Sequence, residues 1–264
     1  MDRSSVGRRR AGLVIDLDDV IYGIHALDEA LNAGEKLRTI HIGAQRRRDP
    51  AVRHFIDEAK ARGIPLRFED GAFFAHFPYK AHQSVVAFGE PFSYVSLDDI
   101  LATPRTGPLL VVLLDHITDP HNAGAIIRTA EAAGAHGLIL PERRAVGVNA
   151  TVRKAAAGAA AHLPVARVAN IAQSVRILKK AGVWVAGADA SESAVPYDGV
   201  DLRGDCAVVI GAEGHGLSQL VARECDFLLR IPMLGMVGSL NASVAAGVLL
   251  YEVVRQRAGS EKSP

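Results

Sequence analysis

The sequence predicts an α/β protein with two parts, a small N-terminal α/β module and a larger domain built on a mostly parallel sheet. The chain has 264 residues, which is enough for one large or two ordinary domains. Hydrophobic residues make up 49% and charged residues 22%, the balance of a globular protein rather than a disordered or fibrous one. Strand and helix patterns alternate along most of the chain, and this alternation favours parallel strands covered by helices.

The N-terminal module ends near Gly89. Residues 24–34 form a helical pattern that stops at a glycine, and residues 49–63 form a second one that begins with Asp49 and Pro50. The strand patterns of the module are residues 37–43, 64–70 and 84–89.

The larger domain follows a connector. Residues 90–108 mix proline, glycine and acidic residues, which is typical of a connecting segment, and residues 109–115 are an apolar run typical of a strand buried on both faces. The later strand patterns are residues 137–140, 164–168, 183–189, 206–213 and 227–233. The helical patterns are residues 122–134, the alanine-rich 151–163, 171–182 and a final helix after residue 239. The predicted boundaries are 18–89 for the module, 90–108 for the connector and 109–258 for the larger domain.

The sequence carries no signal for a membrane segment or a metal site. No run approaches the roughly eighteen apolar residues of a membrane span, and the N-terminal charges have no apolar stretch behind them, so we expect a cytoplasmic protein. Cys206 and Cys225 belong to no CxxC motif and have no nearby histidine pair. Two buried structural thiols are therefore favoured over a metal site or a disulfide, and no metal is expected.

The net charge of +1 does not by itself indicate a polyanionic partner. Two arginine triplets, residues 8–10 and 46–48, lie in the N-terminal part. A solvated surface and a nucleic-acid contact both remain open for them.

Three loops at predicted strand ends carry unusual polar residues. The first begins at residue 113 and reads "LLDHITDPHNAGAIIRTAEAAG". Asp119 and Pro120 predict a turn before the helix, which Asn122 can cap. Arg128 lies in an otherwise Ala/Ile helix, so its side chain either reaches solvent or points its planar guanidinium into a site.

The second loop, "VVIGAEGHGLS", leads a buried strand into a glycine-rich turn. Gly211, Gly214 and Gly216 allow either a plain tight turn or a close approach of the backbone to a ligand, and Glu213 adds a carboxylate at the strand end. The glycine spacing differs from the dinucleotide-binding fingerprint.

The third loop lies in "RIPMLGMVGSLNASVAAGVLLYE", which reads strand, loop and an apolar helix. Ser239 or Asn241 can cap this helix. The same polar residues at a helix start can also hold a polar ligand, because free N–H groups and the positive end of the helix dipole converge there.

Together the three loops resemble the motifs of the SpoU/TrmH branch of the SPOUT RNA methyltransferases. The motifs stand here as "DPHNAGAIIRTAEAAG", "VIGAEGHGLS" and "IPMLGMVGSLNASVAAG", in the order and with the spacing of that family across residues 119–247. The segments "IYGIHALDEAL" and "HQSVVA" resemble the N-terminal RNA-binding module of the RlmB-type 23S rRNA ribose methylases. Ser84 stands where that module has glycine.

The resemblance implies a C-terminal domain with a deep trefoil knot, preceded by a small ribosomal-protein-like RNA-binding domain. It implies S-adenosylmethionine as cofactor, with its adenine held by backbone groups around Gly211, Ile231 and Leu240. It also implies a homodimer formed through the C-terminal domain, with the active site near the subunit interface, and RNA as partner, 23S rRNA foremost. The implied catalytic residues are Arg128, Asn122, Glu213, Ser239 and Asn241.

The implied reaction transfers a methyl group to a ribose 2′-OH, most naturally of a guanosine in 23S rRNA. Arg128 would bind a phosphate and stabilise the developing alkoxide. A guanidinium keeps its proton at neutral pH, so it cannot serve as a base. Asn122, Glu213 and Asn241 would position Arg128 and the ribose.

Other functions remain open at this point. The same fold serves tRNA ribose methylases and resistance-type rRNA methylases, and a non-catalytic RNA-binding assembly factor is an alternative of a different class. A nicotinamide-dependent oxidoreductase is disfavoured because the glycine fingerprint is missing.

Overall fold

The computed structural model of the protein describes residues 20–32, 34–77, 82–191 and 193–260. The chain divides into two units, Met1–Phe92 and Ser93–Pro264. The arginine triplet at residues 8–10, and residues 18–19 at the start of the predicted module, lie outside the described residues.

In the part of the first unit that the structure describes, a small mixed sheet is joined by three α-helices. Its strands are β1 (Val20–Tyr22), β2 (Leu37–Gly43), β3 (Leu66–Glu69) and β4 (Val85–Gly89). Its helices are α1 (Ile24–Asn32), α2 (Pro50–Ala61) and α3 (Gly71–Phe74). The sheet order is β1–β4–β2–β3, in which β2 and β3 run parallel and the other neighbours antiparallel.

Local signals predict most of this unit. Helix α2 begins at Pro50, and the Asp49 side chain accepts a backbone N–H of its first turn, as its sequence indicates. The sequence did not predict β1 or α3. Strand β1 has three residues and depends on pairing with β4, with Val20 opposite Phe88, which is a long-range contact that no local pattern encodes.

The second unit confirms the predicted mostly parallel sheet. Its strands are β5 (Leu110–Asp115), β6 (Gly137–Pro141), β7 (Val165–Val168), β8 (Trp184–Ala188), β9 (Val195–Pro196), β10 (Cys206–Gly211) and β11 (Phe227–Arg230). Its helices are α4 (Leu97–Leu101), α5 (Pro120–Ala132), α6 (Ala150–Ala155), α7 (Ile171–Lys180), α8 (Gln219–Glu224) and α9 (Ala242–Ser260). The order is β7–β6–β5–β10–β8–β11–β9, and every neighbouring pair is parallel.

Helices cover both faces of this sheet. All six residues of β5 are buried, as an apolar strand between two helical layers must be. On one face Val111 and Leu113 pack in one core with Val175 and Leu178 of α7. Because side chains alternate along a strand, Leu110, Val112 and Leu114 face the layer that contains α5 and α9, where Leu250 is fully buried.

The segment predicted as a connector, residues 90–108, is partly structured. Ser96 and Asp99 form a reciprocal capping box at the start of α4, and Ile100 of that helix is fully buried in the core of the second unit. Val95 forms a bridge to β7. The sequence did not predict this helix, because its five residues are too few to show a helical period.

The alanine-rich stretch is not one helix. Helix α6 ends at Ala155, after which Ala157 and Gly158 adopt left-handed backbone conformations with φ of 49° and 93°. A right-handed helix cannot continue through two such residues, and the chain resumes as a 3₁₀ turn at Ala159–Ala161. Composition alone predicted a longer helix because alanine favours one in every context.

Both cysteines are free thiols, but their burial differs. Cys206 is buried and Cys225 is partly buried, whereas the sequence predicted two buried thiols. Burial raises the pKa of the Cys206 thiol to about 11 and that of Cys225 to about 12, so both carry a proton at neutral pH. None of the helices among the described residues is long and apolar enough to cross a membrane, and no cluster of metal-ligating side chains occurs among those residues.

Helices α5 and α6 approach each other at Gly124. A Cβ atom at this position would lie 2.4 Å from Ala155 Cβ and 2.6 Å from the Val152 carbonyl oxygen. Gly124→Ala should therefore destabilise the protein by about 1–3 kcal/mol through overpacking, although alanine is the better helix former. Gly204→Ala is the matched control, because a Cβ there meets no atom within 4 Å, and it should stabilise by up to about 1 kcal/mol. Urea unfolding measures both; a stabilised Gly124→Ala variant contradicts the tight contact.

Candidate active site

A cavity of about 480 Å³ opens at the carboxyl ends of β8, β10 and β11. Ligands of open parallel sheets gather at this edge, because the loops that follow the strands converge there. The predicted cofactor residues Gly211, Ile231 and Leu240 all line this cavity. Two predicted catalytic residues, Glu213 and Ser239, line it as well. We call it the edge cavity.

The loop after β10 closes tightly on itself. Ala212 and Gly216 exchange two backbone hydrogen bonds, and Gly214 and Gly216 have φ of 76° and 64°. A Cβ on Gly211 would lie 2.2 Å from the Gly216 carbonyl carbon. Gly211 is thus required by the loop's own backbone, whereas the sequence assigned its small size to ligand approach.

Three predicted catalytic residues meet beside the edge cavity. Asn122 Nδ2 donates to Glu213 Oε1 at 3.0 Å, and Asn241 Nδ2 donates to Asn122 Oδ1 at 2.9 Å. Asn241 Nδ2 also donates to Glu213 Oε1. We call these three residues the Asn–Glu–Asn cluster. Asn122 is buried, and the cluster ties the loops after β5, β10 and β11 together.

Asn241 is both a member of the cluster and the N-cap of α9. Its Oδ1 atom accepts from the backbone N–H groups of Ser243 and Val244 and so caps α9, while its amide nitrogen belongs to the cluster. The cap of α5 is Asp119, which accepts from two N–H groups of the first turn. The sequence proposed Asn122 for that cap; because Asp119 fills it, the Asn122 side chain is free to join the cluster.

Arg128 lies apart from the cluster. It is six residues after Asn122 on α5, which places it about 9 Å further along the axis and about 120° around the helix. Its side chain is exposed and has neither a hydrogen bond nor an ion pair with any residue that the structure describes. The prediction that the cluster would position Arg128 within one chain has no contact to support it. Ser239 lines the edge cavity outside the cluster.

Sequence reasoning missed several lining residues. Asp189 and Ser191 follow β8 directly, and His215 lies between the two left-handed glycines. A polar residue soon after a buried strand indicates a possible site residue. This pattern identified Glu213 and could have identified these residues as well.

The charges of the edge cavity limit the ligands it suits. Asp189 and Glu213 contribute carboxylates, and among the described residues no lysine or arginine lines it. Apolar walls come from residues such as Leu229 and Ile231. A ligand with a cationic centre and an apolar body suits this lining better than one with several phosphates.

The fold and the site define a class of protein, an α/β protein with a cavity of small-ligand size at the carboxyl edge of a parallel sheet, next to a polar cluster. Comparison with known sequences narrows this class. The profile of the SpoU rRNA Methylase family matches residues 109–251, and the profile described as RNA 2′-O ribose methyltransferase substrate binding matches residues 20–95. The chain belongs to the SpoU/TrmH family of tRNA/rRNA methyltransferases.

Individual relatives match along most of the chain. YacO of Bacillus subtilis, which carries the name of a TrmH family tRNA/rRNA methyltransferase, is 42% identical over 241 residues, 90% of this chain and 96% of YacO. An uncharacterized tRNA/rRNA methyltransferase of Synechocystis is 44% identical over 243 residues, and the match spans only 63% of that relative. The crystal structure of the SpoU methyltransferase AviRb from Streptomyces viridochromogenes in complex with AdoMet is 31% identical, with a TM-score of 0.59 over 90% of each chain.

Proposed function

We propose that this protein methylates a ribose 2′-OH of RNA with S-adenosylmethionine as methyl donor, and that its target is a guanosine of 23S rRNA. The observation that carries the proposal is the Asn–Glu–Asn cluster beside a cavity lined by carboxylates and apolar groups. The match of residues 20–95 to a ribose methyltransferase substrate-binding profile supports the 2′-OH as acceptor. The guanosine and the large-subunit RNA rest on the resemblance of the whole chain.

The edge cavity fits S-adenosylmethionine. Its volume of about 480 Å³ is within the range of small-ligand sites, and AviRb was crystallised with this cofactor. Asp189 and Glu213 would face the cationic sulfonium and ammonium groups, while backbone around Gly211, Ile231 and Leu240 would hold the adenine. When bound, the cofactor supplies an electrophilic methyl group.

The cluster would orient the acceptor ribose. A ribose hydroxyl is a weak acid, so the site must stabilise the alkoxide and accept the proton as the oxygen attacks. Glu213 Oε1 accepts from the side-chain amides of Asn122 and Asn241 and from the backbone N–H of Ala242. Its Oε2 atom has no hydrogen bond among the described residues, which leaves it free to accept one from the hydroxyl. The amides of Asn122 and Asn241 keep that carboxylate in place.

The proposed trefoil knot is supported by the order of the strands. Strand β10 is formed after β8 yet lies between β5 and β8 and pairs with both. The chain thus returns to the centre of the sheet after both flanking strands are complete, as threading through a loop requires.

A homodimer is supported by apolar residues on the surface of α9. Val244 and Tyr251 are 51% and 52% exposed and lie seven residues apart, on one stripe of the helix. Gly247 lies between them in sequence, and a Cβ there would lie 3.9 Å from Thr129 of α5, the residue after Arg128. Because Arg128 has no contact with the cluster of its own chain, a second copy seated on the stripe would be the source of the guanidinium that the cluster lacks. We propose that each active site combines the cluster of one protomer with Arg128 of the other.

The first unit would bind RNA through two arginines of the triplet at residues 46–48. Arg46 donates to Asp49 and to the Gln83 carbonyl, so it holds the fold. Arg47 lies over the Phe68 ring and Arg48 is exposed, so these two remain for phosphate contacts.

The cofactor assignment is tested by two glycines of one loop. Neither Gly235 nor Gly238 has an atom within 4 Å of its Cβ position or a positive φ, but only Gly238 lines the edge cavity. Gly238→Val should weaken S-adenosylmethionine binding on the order of tenfold, whereas Gly235→Val should leave it unchanged. Calorimetry with S-adenosylmethionine and with NAD checks this. Equal affinity in both variants, or wild-type binding of NAD in its place, contradicts the assignment.

The target is tested by mapping 2′-O-methylation in rRNA and tRNA from cells with and without this protein. We expect the loss of one methylated guanosine from 23S rRNA and no change in tRNA. A missing tRNA methyl group instead would support the tRNA alternative. No change in either RNA would favour the non-catalytic assembly factor.

Arg128 is tested by mixing inactive variants. Arg128→Ala and Arg128→Lys should each lose at least about 10²-fold in single-turnover rate with cofactor affinity retained, because the planar fork is missing from both. Arg128→Ala mixed with Glu213→Ala should recover about a quarter of wild-type activity, since half of the dimers are mixed and each contains one intact site.

The same mixture separates the two arrangements of Arg128. If Arg128 served the cluster of its own chain, both sites of the mixed dimer would lack one residue and no activity would return. Near-normal turnover by Arg128→Lys would show that positive charge alone suffices.

A further inference from the structure

A second cavity, of about 280 Å³, lies at the same edge of the parallel sheet and outside the site described above. It opens at the carboxyl ends of β5, β6 and β7, whereas the edge cavity opens over β8, β10 and β11. Its walls include the first turn of α7 and part of α8. We call it the basic cavity. No residue of the Asn–Glu–Asn cluster lines it.

Its lining is cationic. Arg143 and Arg144 follow β6, are exposed, and have no hydrogen-bond or ion-pair partner among the residues that the structure describes. Asn170 caps α7, so the N–H groups of the first turn add the positive end of a ten-residue helix. Asp115 is the one carboxylate among these lining residues.

The two arginines outnumber the single carboxylate of Asp115, and both oxygens of that carboxylate are engaged by the protein. Asp115 is 1% exposed, and its Oδ2 atom accepts from the Ser218 backbone N–H at 2.7 Å. Its Oδ1 atom accepts from His116 Nδ1 at 2.6 Å. Both oxygens are thus occupied by groups of the chain.

The same contact fixes His116. Its Nδ1–H donates to the buried carboxylate, which leaves Nε2 on a ring that is 41% exposed and lines the basic cavity. His116 has φ of 63°, a left-handed conformation that is uncommon for a residue with a side chain. The hydrogen bond to Asp115 holds the ring at the cavity.

We propose that the basic cavity binds a backbone phosphate of the RNA substrate, with Arg143 and Arg144 as the charged contacts and His116 as a further polar contact. The inference rests on the proposed function, because it assigns the cavity to that enzyme's RNA. Unpaired arginines on an open rim are suited to a phosphate oxygen, which accepts two N–H groups of one guanidinium.

The position of the cavity agrees with one RNA strand serving both sites. Asp115, at its wall, is paired in register with Gly211, which lines the edge cavity. The walls of the two cavities therefore come together at the ends of the adjacent strands β5 and β10. A strand laid along this edge can place a ribose at the Asn–Glu–Asn cluster and a neighbouring phosphate at Arg143 and Arg144.

The test compares single arginine variants of the full-length protein with a matched lysine variant. Lys180 is also exposed and has no partner among the residues that the structure describes, but it lies at the far end of α7. Arg143→Ala and Arg144→Ala should each weaken binding of fluorescein-labelled 23S rRNA transcript severalfold, and the double variant on the order of tenfold. The slope of log affinity against log salt should fall by about 1 in the double variant. Lys180→Ala should change neither quantity. Thermal unfolding checks that every variant is folded.

The outcomes separate this inference from the proposed function. Wild-type RNA affinity and salt dependence in the double variant would overturn the phosphate site, whether or not the protein methylates RNA. If the double variant lost binding of inorganic phosphate but kept wild-type affinity for RNA, the cavity would belong to a free anion, and the inference would also be overturned. If the wild-type protein neither bound S-adenosylmethionine nor methylated RNA, while the arginine variants still lost RNA affinity, the proposed function would fail and the phosphate site would stand.

Discussion

The Asn–Glu–Asn cluster is the contact on which the candidate active site depends. It joins residues 91, 119 and 28 positions apart, so it brings together loops that no local interaction connects. Each member forms a hydrogen bond with each of the other two, and a buried partner left unsatisfied would cost about 1–3 kcal/mol. The start of α5, the glycine loop after β10 and the start of α9 are therefore fixed relative to one another, and the edge cavity takes its shape from them.

Charge divides the carboxyl edge of the sheet into two halves. The edge cavity contains Asp189 and Glu213, and the basic cavity contains Arg143 and Arg144. Because opposite lining charges favour opposite ligand charges, this separation lets a cationic cofactor and an anionic RNA backbone lie side by side without competing for the same groups. The buried Asp115 lies between the two halves, where its carboxylate accepts hydrogen bonds from the Ser218 backbone and the His116 ring.

Much of the fold and of the candidate site can be predicted from the sequence because the patterns that specify it are local. The parallel sheet follows from apolar runs alternating with helical periods, and three polar loops at strand ends identify the members of the cluster. Elements such as β1 and α4 are too short for a period and depend on distant partners. Contacts between distant residues are also beyond local reading: Gly211 is small because of Gly216, and Arg128 lies away from Asn122 because of helix geometry.

The late position of α9 has a consequence for the protein during its own synthesis. The last strand of the parallel sheet ends at Arg230, but the third member of the cluster, Asn241, and the whole of α9 follow it. A nascent chain that has emerged only through β11 holds its strands without the helix whose Leu249 and Leu250 are fully buried in the finished fold. The part of the sheet that α9 covers is exposed in such a chain and the cluster lacks its third member, so a ribosome-bound or prematurely terminated chain presents an apolar surface through which it can associate.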